Sequence, residues 1–584
     1  MRFSFRRWPI ALRVAISTAV PMLIGWAAGD IGAGLIATLG AFTADYGTDR
    51  PYRNRAVQLA VIAVSLAAAV TLGAWAATSV WTAVAAVSAI AVFAVWLCAA
   101  LAVGPPGAYM FVLVCAAGVG ISASHRPPWH VGLLVLVGGL VAWISHISAV
   151  LSDPRGPEKA ALADAGNAVA DYLDSTGGGQ AQAARRGAAQ ALTRAWAVLV
   201  EYQPRSAADG SLLLLREANH ALHVLFTDAM TAVGTGRPLP GGGAATARAI
   251  GTLDLAPGVI ANRDPHRPPL RRPPLPSLLG RAIRPGGHTR RVMWRVGIAA
   301  PVAGAVAGTL GIGHVYWAMA AAVLVLHQGT HRVATLRRGA ERVLGTLVGL
   351  GLAAAILGLY PQGLWLVLVV VALQFVIELF VVTHYALATV FITALALTIA
   401  SGGGQADIGA LIVDRGVDTV IGCGVGLMVY LSAVRRQEAH RLTDALVDMI
   451  GHTITTTRFL ARGDVASLAS RGARRDLQNS IFDLAAAEEA ARHGSRRDRA
   501  AAYGLSGIVA AAEHLGYATV TGCWAAEQGS QGFFGSADPE AYLLLLQRIS
   551  DSIRLATAAP SSPELPPFAA PEVRLLIRGI AERG

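Results

Sequence analysis

Residues 362–401 read QGLWLVLVVVALQFVIELFVVTHYALATVFITALALTIAS. Apart from Tyr385, the only ionisable side chains in the stretch are Glu378 and His384. A hydrocarbon core about 30 Å thick is crossed by ~20 apolar residues in helical conformation. The stretch therefore holds two spans, roughly 362–382 and 384–401, turning at Thr383 and His384. Working outward, similar runs at roughly 292–310, 314–328, 343–359 and 410–433 complete a block of six. An earlier block repeats the pattern at roughly 9–28, 31–46, 56–78, 80–103, 108–123 and 129–151. The second of these is short and glycine-rich, as expected of a tilted or partly re-entrant segment.

Composition agrees: 54% of the 584 residues are hydrophobic and 14% are charged, against roughly 25% charged in soluble domains. The net charge of +12 would suggest nucleic acid in a soluble chain. Here the arginines gather beside apolar runs, which is the charge asymmetry that orients membrane proteins. On one side lie Arg2, Arg6, Arg7 and Arg13, then Arg50, Arg53 and Arg55. Arg290, Arg291, Arg295, Arg332, Arg337, Arg338, Arg342, Arg435 and Arg436 follow in the second block, while the opposite loops offer only Arg126. This predicts a multi-pass protein of the cell's inner (plasma) membrane with both termini cytoplasmic, and no nucleic-acid partner. The basic, then apolar, N-terminus is expected to stay as the first span, because a matching segment occurs mid-chain.

The two blocks align without a gap at an offset of 282 residues over their first 50 positions. Arg13-Val14-x-Ile16 pairs with Arg295-Val296-x-Ile298, and Gly47-Thr48-x-Arg50 with Gly329-Thr330-x-Arg332. An even number of spans per block makes the repeat parallel, about an axis along the membrane normal. The expected fold is all-α: a polytopic membrane protein with two parallel six-helix repeats alternating with two cytoplasmic helical domains. Its segments are 1–151 (first block), 152–235 (helical domain), 236–290 (a Pro/Gly/Arg-rich linker), 291–433 (second block) and 434–584 (C-terminal helical domain).

Lys159 is the sole lysine, so no Gly-Lys-[Ser/Thr] phosphate loop exists and ATP hydrolysis by that route is excluded. Cys98, Cys115, Cys423 and Cys523 form no Cys-x-x-Cys pair and read as small buried hydrophobes. With no His-Glu-x-x-His, no Gly-x-Ser-x-Gly and no metal cluster, neither an enzyme nor a cofactor or metal site is expected.

Charged groups within spans cost ~2.5–3.5 kcal/mol on insertion scales and are therefore functional candidates. Glu378, well inside the tenth span, suits proton coupling, and His384 stands where it can relay a proton. Tyr385 follows at the same span end. Asp45 and His327 occupy equivalent repeat positions and are further proton candidates. Asp414, Arg415 and Asp418 open the twelfth span, where Arg415 and Asp418, three apart, can meet on one helical face. Such a pair suits gating, anion binding or a static ion pair. Arg50 and Arg332 stand in basic inner loops that orient the chain and concentrate anions. Gly345-x-x-x-Gly349 and Gly422-x-Gly424-x-Gly426 read as small-residue faces for close helix packing.

Three patterns then give a resemblance: RGAERVLGTLVG at 338–349; Glu378 followed by Tyr385-Ala386 and Phe391-Ile392-Thr393; and Arg415-x-x-Asp418-Thr419-x-x-Gly422. With the alternating architecture, the chain resembles the fusaric acid resistance (FUSC) or aromatic acid exporter family over nearly its whole length. The resemblance implies efflux of small, anionic, aromatic or otherwise weak organic acids driven by the proton gradient. The first block departs from it, having GPPGAYMF where the Glu–Tyr span should lie and no counterpart of Arg415. The partners implied are a lipid bilayer, a small anionic substrate and protons, with self-association one role open to the soluble helices. An anion channel, like the plant malate channels distantly resembled, and a membrane scaffold are the alternatives.

Overall fold

Long apolar runs without helix-breaking pairs leave the backbone one way to satisfy its hydrogen bonds inside a membrane, which is to form helices. The computed structural model describes residues 8–121, 126–176, 178, 180–203, 210–235, 238–239, 241–253, 275–284, 287–328, 332–401, 408–434, 438–527, 533–534, 538–555, 573 and 576–578. Arg2, Arg6, Arg7, Gly329, Thr330, Arg435 and Arg436 lie outside them. Among the described residues the regular structure is helical, with no strand.

The first membrane helices are α1 (Trp8–Ala27), α2 (Ile31–Ala41), α3 (Tyr52–Ala76), α4 (Val80–Ala100), α5 (Tyr109–Ile121) and α6 (Pro128–Ile147). Next come α7 (Gly156–Ser175), α8 (Ala181–Trp196), α9 (Gly210–Thr235), α10 (Gly243–Gly251) and α11 (Leu275–Ala282). The second set is α12 (His288–Thr309), α13 (Val315–Gln328), α14 (Arg332–Gly358), α15 (Gly363–Phe380), α16 (Tyr385–Ser401) and α17 (Ile408–Val434). The chain ends with α18 (Glu438–Ala461), α19 (Leu468–Arg492), α20 (Arg496–Glu527) and α21 (Pro539–Leu555). Two short helices, α10 and α11, thus fall within the stretch expected to be a linker.

Two compact units result: Met1–Pro154 with Pro273–Val434, and Arg155–Arg272 with Arg435–Gly584. Both apolar blocks share the first unit, and the two intervening and C-terminal stretches share the second. Among the described residues, eight helices are long and apolar enough to cross a membrane. The second and fifth helices of each block are shorter, Ile31–Asp45 (α2 with a following 3-10 turn), Tyr109–Ile121, Val315–His327 and Tyr385–Ser401; the shortness of the second was expected from sequence. The chain is a polytopic, all-α membrane protein.

In the membrane unit α1 packs on α2 and α6, α2 on α6, and α3 on α5 and α6. In the second block α12 packs on α13 and α17, α13 on α17, and α14 on α16 and α17. Between blocks, α1 packs on α15 and α12 on α4. Glycine allows the closest of these approaches. A Cβ on Gly345 or Gly349 would stand 2.6 Å from the carbonyl oxygen of Ala386 or Val390 on α16, and one on Gly422 would collide with the Ala318 carbonyl of α13. From Val315 to Leu326, α13 is buried throughout, so it is enclosed by neighbouring helices rather than by lipid. On the opposite side of the first block, Asp30 caps α2 by accepting from Ala33 N and is bound through both oxygens by Arg126 Nη2. The Ala33 N–H and the Arg126 guanidinium hold the Asp30 carboxyl below its usual range.

The second unit has one core that draws Leu162, Val169, Leu192 and Leu222 from the first stretch and Leu446, Ile481, Leu515 and Ile549 from the last. Buried charges tie the stretches: Arg185 meets Glu513 at 3.0 Å, and Arg186 meets both Glu513 (2.7 Å) and Glu488 (2.6 Å). Breaking such a pair by removing one partner strands a buried charge, at ~3–5 kcal/mol.

Candidate functional site

The polar interior of the membrane unit centres on α13, α14, α16 and α17, with one residue from α5. On α14, Arg338 and Arg342 stand one turn apart, and Arg342 is only 2% exposed. The sequence places Arg342 in a basic loop. Instead α14 begins at Arg332 and runs unbroken to Gly358, because RVATLRRGAERV carries helix formers throughout and Gly339 alone does not stop it. Arg342 therefore lies about 15 Å along a helix. Its guanidinium interacts with the Tyr385 hydroxyl and lies within electrostatic reach of Tyr109 and Cys423. Arg338 stacks over the Tyr385 ring, 4.0 Å from its centroid.

Tyr109 and Tyr385 are the first residues of α5 and α16, the fifth helix of each block, and they meet in one buried cluster with Leu324. The backbone that presents Tyr109 is held by groups from two helices. Ala108 N donates to His327 Nε2 (3.3 Å), and the Tyr46 hydroxyl donates to the Gly107 carbonyl (2.7 Å). Gly107 has φ +63°, and a Cβ there would stand 2.7 Å from His327 Nε2. Only glycine fits that turn. His327 accepts a backbone N–H, so it is neutral at Nε2 in this state.

Arg415, 2% exposed, sits on α17 about 10 Å from the helix start. Its guanidinium lies over the Trp317 ring, 3.6 Å from the centroid. The Arg415–Asp418 pair that the spacing suggests does not form. Nε and Nη2 of Arg415 and both oxygens of Asp418 are buried with no hydrogen-bond partner among the described residues. Arg342 Nε and the Tyr109 hydroxyl are likewise buried without a partner. The threonines nearby do not supply one, since Thr389, Thr393 and Thr419 donate to carbonyls of their own helices. Arg415 is within electrostatic reach of Arg342, Tyr109, Asp418 and Tyr316.

Chemically, this is a buried cluster of two guanidiniums with aromatic neighbours in Tyr109, Tyr385, Tyr316 and Trp317. Nε–H and Nη2–H form one edge of a guanidinium and point the same way, matching the two oxygens of a carboxylate. Leaving those donors unmet in a low-dielectric interior costs several kcal/mol. An anion that accepts from them removes that cost.

The remaining sequence candidates lie around this chamber or apart from it. Asp414 pairs with His314 at 3.0 Å at the opposite end of α17 from its basic terminus. Glu378 is 8% exposed near the end of α15, where Gln374 Nε2 approaches it at 3.4 Å. His384 is exposed in the turn beside Phe380. Arg50 is bound to the Leu101 and Ala102 carbonyls and to Asn54, which fixes the end of α4. Asp45 lies in the 3-10 turn beside Tyr46, and Arg332 is exposed at the start of α14. The structure thus gathers Arg415, Asp418 and Tyr385, and adds Arg342, Tyr109 and Trp317. The i,i+4 spacing of Arg338 and Arg342 ahead of Gly345-x-x-x-Gly349 was the available signal for Arg342. A tyrosine beside an alanine at the start of the fifth run of each block, Ala108-Tyr109 in GPPGAYMF and Tyr385-Ala386 in THYALATVF, was the signal for Tyr109.

Residues 302–429 match the family described as fusaric acid resistance protein-like, a family of transporter type. That segment contains Arg342, Tyr385, Arg415, Asp418, Glu378 and Trp317. A Bacillus subtilis (strain 168) protein described as the uncharacterized membrane protein YvaC is 26% identical over 545 residues, covering 87% of this chain and 84% of that protein. No solved structure matches the chain. The family resemblance drawn from the sequence is therefore met in the second block.

Proposed function

We propose that the protein is a secondary transporter that exports small anionic, aromatic organic acids, driven by the proton-motive force. The observation that carries the proposal is the unpaired Nε–Nη2 edge of Arg415, buried over Trp317 beside Arg342. A guanidinium in that state costs stability unless a ligand uses it, and a carboxylate on an aromatic ring fits both its edge and the surrounding walls. Arg338 and the other arginines at the same helix ends draw anions towards the chamber. By their charge, that side faces the cytoplasm of an inner (plasma) membrane.

Alternating access follows from the helix pairing. The matched contacts of α1 with α15 and of α12 with α4 support two blocks related by a pseudo-two-fold axis along the membrane normal. Tyr109 and Tyr385 stand beside that axis, one from each block. Rocking of one block against the other would open the chamber to each side in turn. Glu378, buried in α15, is the group that takes up and releases the proton.

One observation also favours a channel. Asp414, Arg415 and Asp418 on α17, with Arg342 and Arg338 on α14, form a polar column along the interior. A channel would pass current down the anion's own gradient without a proton requirement. Everted vesicles loaded against an imposed proton gradient separate the two. Accumulation of labelled 4-hydroxybenzoate that a protonophore abolishes supports the exporter; equilibration without accumulation supports the channel; no movement of any aromatic acid refutes both.

A further inference from the structure

Asp418 is fully buried, and both of its oxygens lack a partner although Arg415 is one turn away on the same helix. The charges around it can be named element by element. Arg415 and Asp414 share α17, Arg342 stands on α14, and Asp414 is engaged by His314 outside α13. From α13, α5 and α16 the chamber receives tyrosines rather than charges: Tyr316, Tyr109 and Tyr385. Arg338, over the Tyr385 ring, is partly exposed and paired with Glu341 at 3.7 Å, so the buried formal charge is set by two arginines and one aspartate.

We infer that Asp418 is a specificity-determining residue that restricts the Arg342–Arg415 chamber to singly charged acids. Two guanidiniums without Asp418 would balance a dianion. With Asp418 ionised, one net positive charge is left among the buried groups, and a second negative charge on the ligand meets repulsion that the surrounding aromatic side chains do not screen. Asp418 has no hydrogen bond that anchors it as a structural brace, so its charge acts on whatever Arg415 binds. The inference rests on the chamber being the anion site proposed above.

The test uses two acids of nearly the same shape: 3-nitrobenzoate, a monoanion, and isophthalate, a dianion, both fully ionised at neutral pH. Their affinities for the purified full-length protein in detergent are measured by titration calorimetry. The wild type should prefer 3-nitrobenzoate by about a hundredfold or more, the order expected for one uncompensated charge a few ångströms away at an effective dielectric of about 20. Asp418→Asn should shift the ratio of affinities towards isophthalate by about a hundredfold, the same electrostatic increment removed. Asp418→Glu should keep the wild-type preference. If Asp418→Asn does not fold, Asp418→Ser removes the same charge and its ratio is read instead. Equal binding of the two acids by the wild type, or a ratio unmoved in Asp418→Asn, overturns the inference and leaves the chamber standing. Failure of both acids to bind any form overturns the chamber and the inference together.

Discussion

Arg415 lies over Trp317, its Cζ 3.6 Å from the ring centroid, while its Nε–Nη2 edge has no acceptor among the described residues. The indole holds the cation from one side and so pre-orients the edge that a carboxylate would use. Removing the ring in Trp317→Leu should weaken binding of 4-hydroxybenzoate by about 0.5–2 kcal/mol, roughly two- to thirtyfold in Kd. Arg415→Lys should not substitute, because an ammonium lacks the planar two-pronged edge. Calorimetric titration of the three proteins checks both statements.

Glu378 lies on α15, a helix that packs on α1 and α16, and is not among the groups that contact the two arginines. Its neutral mimic, Glu378→Gln, should therefore retain substrate binding and lose accumulation driven by the proton gradient. Paired measurements of binding and vesicle uptake on the same variant test this. Normal uptake in the variant would remove Glu378 from the coupling mechanism.

Gly422 and Gly424 sit two residues apart on α17 and differ in what surrounds them. A side chain on Gly422 meets the Ala318 carbonyl of α13, whereas one on Gly424 meets nothing within 4 Å. Gly422→Val should force α13 and α17 apart and abolish the monodisperse, folded fraction. Gly424→Val should fold like the wild type, since small-residue packing matters only where backbones touch. Size-exclusion profiles in detergent distinguish the two.

In the second unit, burial pulls the His223 pKa down to about 4, with Arg474 adding to the effect against the Asn219 carbonyl. Burial and Arg185 do the same for His514, also to about 4. Between these values and the unperturbed 6.5 the unfolded chain binds protons that the folded chain does not. Stability contributed by the neutral histidines is thus full above pH 6.5 and is lost as pH falls towards 4. Unfolding of the full chain, followed by tryptophan emission, should show this decline. His223→Gln with His514→Gln should flatten it.

Much of the membrane architecture was legible, because apolar run length and arginine placement are local properties of sequence. Arg415, Asp418 and Tyr385 could be singled out because a polar residue in an apolar run is conspicuous. Arg342 was hidden by its company: amid Arg337, Arg338 and Glu341 it reads as one more loop charge, and only the unbroken course of α14 carries it inside. Tyr109 and Trp317 were hidden for a different reason. An aromatic residue in a span is ordinary, and its importance comes from which helix faces it across the interior. The joining of the two stretches of the second unit was equally unreadable, since Arg185 and Glu513 are 328 residues apart.

The central claim is that Arg342 and Arg415 together bind the substrate anion. Its most direct test is equilibrium binding of 4-hydroxybenzoate to the purified protein and to Arg342→Gln and Arg415→Gln, each checked for a folded elution profile. The account predicts saturable binding by the wild type, with losses of about 2–3 kcal/mol or more in either variant, the scale of a charged hydrogen bond removed from a buried site. Unchanged affinity in both folded variants would contradict it.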